Sequence, residues 1–261
     1  MSTSATRRLG NPSVRAGAAW LGPTLQLLAK TLYFTFRGKP NLGRVLAYAY
    51  EIGNQSLLFL CVVMGFIGMI AVFQAGIQVQ RVIPDMSQLG STYLELLVKD
   101  FAATIAALML ATRVGAGIAA EIGSMVVTEQ VDALRMCSAD PVDYLVRPRF
   151  IASILMTLVL VVVAGTVAAT TGMWTAQLFF GVSHETFLDF REVDVGDVIL
   201  GLTKALVYGA TIPIVSAQAG LSTFGGSEGV GSATTHAVVN SSLAIIILDF
   251  FLTTLGYLIF E

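Results

Sequence analysis

FIASILMTLVLVVVAGTVAATTGMWTAQLFFG, residues 150–181, belongs to a stretch with no charged side chain between Arg149 and His184. A hydrocarbon core of about 30 Å needs about 20 helical residues, so this run crosses it with length left for tilt. Working outward, four further apolar runs reach spanning length. Residues 53–78 and 89–122 precede it, and 198–221 and 237–260 follow. Composition points the same way: apolar residues are 55% of the chain, charged residues 12%, and mean hydropathy is +0.78. A soluble domain carries about a quarter charged residues. The sequence therefore predicts an all-α integral membrane protein with five transmembrane helices.

Residues 23–37 read differently from the spans. Leu21, Leu25, Leu28, Leu32 and Phe36 recur at helical spacing, while Gln26, Lys30 and Arg37 line another face. With Trp20 and Tyr33 at headgroup depth, this predicts an amphipathic interfacial helix; a short helix packed on the bundle is the alternative. The chain then divides into a tail plus interfacial helix, 1–50, and a five-span domain, 51–261. Residues 1–50 carry seven basic side chains: Arg7, Arg8, Arg15, Lys30, Arg37, Lys39 and Arg44. The loop after the second run adds Arg135, Arg147 and Arg149, whereas the loops after the first and third hold only Arg81 and Arg191. Positive charge marks the cytoplasmic side, so the N-terminus is expected there and, after five spans, the C-terminus on the outer face. The loop 222–235 has no Lys or Arg and adds nothing to this orientation. Arg7-Arg8 is followed by Gly10-Asn11-Pro12-Ser13 rather than an apolar core, so it reads as a basic tail, not an export signal.

Several function classes are disfavoured. No basic patch interleaved with aromatics suggests nucleic acid. Cys61 and Cys137 are isolated, and His184 and His236 fall in loops expected on opposite faces, so no metal site is expected. No G-x-x-x-x-G-K-[ST] occurs; Gly38-Lys39 lacks the first glycine and is followed by proline. The chain therefore cannot hydrolyse ATP through a P-loop and needs no cofactor of its own. The glycine-rich 224–231 reads as a flexible loop. An odd number of spans argues against an inverted-repeat secondary transporter, and two scattered histidines argue against a lipid-modifying enzyme.

The loop between the second and third runs carries the most specific pattern. In 113–134 the small residues Gly115, Ala119 and Gly123 repeat every four positions, spacing that lets helices approach closely in lipid. Thr128 is expected to cap a short helix with Glu129 and Asp132 on one face and Val127, Val131 and Leu134 as an apolar stripe. Asp140 is expected to cap the next turn, with Pro141 at its first position. Such a helix either docks a partner or only closes the turn between two spans.

RVGAGIAAEIGSMVVTEQVDALRMCSADPVDYLVRPRF, residues 113–150, resembles the signature of the MlaE/YrbE permease family, the membrane subunits of MCE-type lipid ABC transporters. GFIGMIAVFQAG (65–76) resembles its first-span motif and GVGSATTHAVVNSSLAIIILDFFLT (229–253) its C-terminal block. The resemblance covers nearly all of 50–261. It implies a permease subunit in a bacterial inner membrane, with its C-terminus periplasmic, that moves phospholipid through an outward-facing cavity at the interface of a homodimer. It implies ATP and magnesium in a separate ABC ATPase subunit, and an MCE-domain oligomer above. Residues Thr128, Glu129, Gln130, Asp132, Ala133, Leu134 and Arg135 would form the coupling helix. Gln130 stands where the family has a second acid. Gly65 and Gly68 would pack helices, and Gln74 would belong to the lipid path.

Charges inside spans are costly and mark function by default. Lys99, Asp100, Arg113, Lys204 and Asp249 are the candidates, and Glu121 sits at the cytoplasmic edge. Arg113 should have a partner. Lys99-Asp100 matches a charged pair of the family, but Phe101-Ala102-Ala103 replaces the Leu-Gly-Pro that follows there, which leaves a kink in doubt. Lys204 and Asp249 match charged family positions. On ideal helices their depths differ by roughly 10 Å, with Lys204 nearer the outer face, which leaves a direct bridge open but not required. These charges either pair structurally inside the bundle or meet a lipid headgroup. An ion-driven transporter working through Asp100 or Asp249 is the alternative function.

Overall fold

The computed structural model describes residues 20–38, 41–82 and 88–260, and these contain helices and turns without a strand. The basic residues Arg7, Arg8, Arg15 and Lys39 lie outside the described residues. In chain order the helices are α1 (Leu21–Arg37), α2 (Leu42–Val82), α3 (Gln88–Leu96), α4 (Ala102–Leu110), α5 (Ala116–Val127) and α6 (Gln130–Met136). They continue with α7 (Arg147–Phe180), α8 (His184–Phe187), α9 (Val195–Leu221) and α10 (Ser227–Phe260).

Four helices are long and apolar enough to cross a membrane: Leu42–Arg81, Val142–Phe180, Val195–Leu221 and Ser227–Ile259. The expected second span is not one regular α-helix. Its place is taken by α3, α4 and α5, joined through π-helical turns at Leu97–Phe101 and Ala111–Gly115. A π turn admits one extra residue and rotates the side chains that follow, and such turns concentrate at functional sites. At the first turn the Val98 carbonyl rests directly on Gly201 of α9, where a Cβ would collide with it. A break therefore exists beside Lys99-Asp100, built without the Gly-Pro pair.

The helix ends differ from expectation where local capping outweighs the apolar pattern. α2 begins at Leu42, eleven residues before the expected start of the span, so residues 50 and 51 lie within one helix. α9 starts at Val195 because Asp194 and Asp197 form a reciprocal capping box there. α10 starts at Ser227, so most of the expected loop 222–235 is helical and His236 lies in a helix rather than a loop. A further π turn, Val142–Val146, leads into α7, and Gly181 in the left-handed conformation closes it.

α2 lies along α7, and Gly68 sets their closest approach. A Cβ at Gly68 would stand 2.8 Å from the Ala168 Cα, whereas one at Gly65 would meet the Thr171 methyl at an ordinary 3.5 Å. Gly68→Ala is thus expected to force the two backbones apart, at the overpacking cost of about 1–3 kcal/mol, while Gly65→Ala is tolerated. Thermal unfolding in detergent reads the difference; equal midpoints for the two variants contradict it. The small-residue stripe faces α9 and α10. Gly115 lies against Ser216 and Ser241, the Ala119 carbonyl against Gly220, and Gly123 against Thr223.

α1 forms as a helix, and its leucine stripe is split: Leu28 and Leu32 pack against the core while the rest faces outward. Thr24, Leu27 and Thr31 are buried, and the two hydroxyls bond back to the Trp20 and Leu27 carbonyls at 2.6 and 2.8 Å. Leu21, Leu25 and Phe36 are exposed.

Candidate functional site

Three helical segments bring their charges together. The Lys204 ammonium on α9, wholly buried, bridges Asp249 on α10 at 2.9 Å, contacts Asp100 in the first π turn, and donates to the Thr253 hydroxyl at 2.7 Å. Asp249 also accepts from Tyr208 at 2.7 Å and from Thr104 at 2.9 Å. The direct bridge that the sequence leaves open between Lys204 and Asp249 is therefore made. Each charge has a hydroxyl four residues on, Asp100 with Thr104, Lys204 with Tyr208 and Asp249 with Thr253, so each pair shares one helix face. Those hydroxyls were missed from sequence, although this spacing displays them.

A buried cation survives only when its charge and donors are matched. Here two carboxylates and one ammonium leave a net negative site whose acids retain partial exposure, 31% for Asp100 and 20% for Asp249. Chemically it offers carboxylate oxygen to a cation at its open edge. Lys99 stands apart from this cluster, 3.3 Å from Asp197 and 3.9 Å from Glu95. Gln74 is exposed on α2 and is not drawn into the cluster.

At the opposite end of the bundle, α5 and α6 make the outward-projecting turn. Thr128 does not cap α6. It closes α5, its hydroxyl bonding back to the Ser124 carbonyl at 2.9 Å, and the residue before α6 is Glu129 in the left-handed conformation, φ 59°. Gln130 reaches back to the Thr128 hydroxyl at 3.0 Å, and Asp132 pairs with Arg135 at 3.0 Å. Val131 is buried against the body and Leu134 half-buried. Glu129, Gln130, Asp132, Ala133 and Arg135 are exposed, as is Met136 at 90%. Met136, a flexible apolar side chain at the tip, was not among the sequence candidates.

This turn is braced by α1. Asp140 accepts from the Val142 N–H at 2.9 Å, as expected of a cap, and also pairs with Lys30 at 3.0 Å. Buried Arg147 donates to the Gly38 carbonyl at 2.7 Å and to Asp143 at 2.6 Å. Burial pushes the Asp140 carboxyl up, but the Val142 N–H and the Lys30 ammonium outweigh it and hold its pKa below the ordinary 3.8. A depressed folded-state pKa means that the stabilisation is complete above about pH 4 and is lost as pH falls through the lower folded value. Amide exchange in α1 is expected to stay constant from pH 7 to 5, after correction for intrinsic rates, and to accelerate below pH 4. Lys30→Ala should shift that onset to higher pH; an unshifted onset contradicts the brace.

Arg113, expected to have a partner, forms no ion pair among the described residues. It lies in the second π turn and lines a cavity of about 410 Å³ with Glu51, Ser56, Glu121 and Arg149. Glu121 pairs with buried Arg149 at 2.6 Å, so its place at the edge of the bundle has a structural use that sequence did not show.

Comparison with known proteins places this arrangement. The model of the Permease MlaE family matches residues 45–255. A probable ABC transporter permease protein of Synechocystis sp. is 36% identical over 233 residues, 88% of each chain. One from Rickettsia conorii is 37% identical over 218 residues, 83% of this chain and 84% of its own. The Arabidopsis thaliana chloroplast protein TRIGALACTOSYLDIACYLGLYCEROL 1 is 32% identical over 238 residues, 90% of this chain and 68% of that protein. With most of its length matched both by the family model and by these relatives, the chain belongs to the MlaE permease family.

Proposed function

We propose that this permease is the membrane subunit of an ABC-type lipid transporter, in which ATP hydrolysis by a separate subunit drives phospholipid movement through a cavity between two copies. The observation that carries this reading is the exposed α6 turn, anchored through Val131 and braced by α1. It presents acids and Met136 outward, as a helix fitted to the groove of an ATPase must. The name of the Arabidopsis relative contains a galactolipid, which supports lipid as the cargo. The Lys204 cluster supports it too: an acidic edge inside the bundle suits a headgroup ammonium.

In this reading the run α3–α5 completes a fifth crossing. It joins two spans, the odd count puts the termini on opposite faces, and the basic bias of residues 1–50 puts the N-terminus in the cytoplasm and the C-terminus in the periplasm of a bacterial inner membrane. α1 then lies at the cytoplasmic interface, with Leu21, Leu25 and Phe36 toward lipid. An MCE-domain oligomer would receive or deliver lipid on the periplasmic side. ATP and magnesium belong to the partner, and the permease binds no cofactor of its own.

The test is reconstitution with the cognate ATPase in proteoliposomes carrying fluorescent phospholipid. ATP-dependent lipid movement that persists when the proton gradient is collapsed is the expected result. Movement without the ATPase, abolished by collapsing the gradient, would replace this reading with an ion-coupled transporter acting through Asp100 or Asp249.

A further inference from the structure

The cavity around Arg113 holds two pairs of opposite charges, and only one pair is closed. Arg149 pairs in charge with Glu121 at 2.6 Å, donates to the Leu145 carbonyl at 2.6 Å and lies over the face of Tyr48, 4.3 Å from its guanidinium carbon. Arg113 and Glu51 line the same 410 Å³ space, and neither forms an ion pair among the described residues. Ser56, 1% exposed, also lines it, and its hydroxyl has no hydrogen-bond partner there. Arg113 is exposed at the cavity wall with no ion pair to hold its guanidinium, and a buried hydroxyl left unmatched is costly. The cavity has the size and the mixture of apolar wall and few polar groups typical of a small-molecule site.

We propose that this cavity binds the headgroup of a zwitterionic phospholipid, with Arg113 and Ser56 taking the phosphate and Glu51 taking the ammonium. Arg113 and Glu51 line one cavity without pairing to each other, so it offers a cationic and an anionic group at once, as a zwitterion requires. Guanidinium supplies planar paired donors to phosphate oxygen, and Ser56 adds a donor on the buried side. Glu51 is exposed on the cavity wall, where a compact ammonium can reach it.

The site is separate from the Lys204 cluster. Arg113 lies thirteen residues after Asp100 on the same helical run, about 20 Å at helical rise, toward the end that carries α6. Both residues occupy π turns, so the run displays one charged station in each break. This inference rests on the lipid-transport reading only for its choice of ligand. Equilibrium binding is measured without ATP or ATPase, so failure of transport leaves it standing.

The experiment titrates the purified full chain in detergent with short-chain phosphatidylethanolamine and, separately, phosphatidylglycerol, following each by native mass spectrometry. The wild-type chain is expected to prefer phosphatidylethanolamine. Arg113→Gln should weaken both lipids by about tenfold, the effect of losing one charge-assisted contact. Glu51→Gln should weaken phosphatidylethanolamine alone and erase the preference. Glu185→Gln, at an exposed acid of α8 that lines neither this cavity nor the Lys204 cluster, should leave that preference in place. Unchanged binding in the Arg113 and Glu51 variants overturns the proposal. So does displacement of the lipid by millimolar inorganic phosphate, which makes the cavity a free-anion site. Loss of the dimer in Arg113→Gln with lipid binding per chain unchanged also overturns it, because Arg113 then pairs with a second copy.

Discussion

Lys204→Met is expected to cost the permease most of its folded yield, whereas Asp249→Asn should leave the fold intact and stop lipid movement. The two variants treat the same bridge differently. Removing the Lys204 ammonium leaves Asp100 and Asp249 without the cation that bridges them. Breaking a buried pair from one side costs about 3–5 kcal/mol, since an uncompensated charge remains. That is a large part of the roughly 5–15 kcal/mol that holds an ordinary domain together. Asparagine at 249 keeps the shape and still accepts from Tyr208 and Thr104, so helix packing survives. What it removes is one negative charge from the open edge, the property a headgroup ammonium would use. Size-exclusion yield and ATP-driven lipid movement, measured together on both variants, decide between roles. Normal yield with lost transport for Asp249→Asn assigns the cluster to the lipid path. Lost yield for both makes it a structural ion pair only.

The second large effect is expected at α6. Glu129→Gln with Asp132→Asn removes both acids and keeps side-chain size, so the turn should fold while its grip on the ATPase fails. Alanine is a poorer choice at 129. Glu129 holds a left-handed backbone that L-residues adopt at a cost of roughly 1–2 kcal/mol, relieved best by Gly or Asn. Glu129→Asn should therefore keep the turn as well as Gln does, or better. The expected outcome is a chain of wild-type stability whose co-purified ATPase drops several-fold and whose hydrolysis no longer answers to lipid. Full coupling in the double variant would move the docking surface elsewhere, with exposed Met136 the next residue to change.

Much of this was legible in the residues because spans and loops follow simple counts. The charge-free run before His184 became α7, and three more apolar runs became α2, α9 and α10 with displaced ends. Those ends shifted because capping by Asp194 and Asp197, and the continuation of α2 back to Leu42, are decided by hydrogen bonds rather than hydropathy. The π turns at Leu97–Phe101 and Ala111–Gly115 were not legible: nothing in five ordinary residues announces an i→i+5 bond, and Gly201, which accommodates the first, lies about a hundred positions away. Thr128 misled for a related reason. Its hydroxyl had two competing uses, and bonding back to Ser124 left the left-handed residue at Glu129 to begin the next helix. The Lys204 bridge stayed open on ideal helices because the reach of a long lysine side chain, and not helical rise alone, decides which charges meet. The hydroxyls at Thr104, Tyr208 and Thr253 needed only the four-residue spacing already used for Gly115, Ala119 and Gly123.

The most direct measurement is to purify the chain with its cognate ATPase subunit and assay hydrolysis as phospholipid is added. A stable complex whose hydrolysis rises with lipid, and loses that response in the Glu129→Gln, Asp132→Asn chain, is the expected result. A chain that never retains an ATPase, yet moves lipid or ions in vesicles by itself, contradicts the assignment of α6 and of the energy source together.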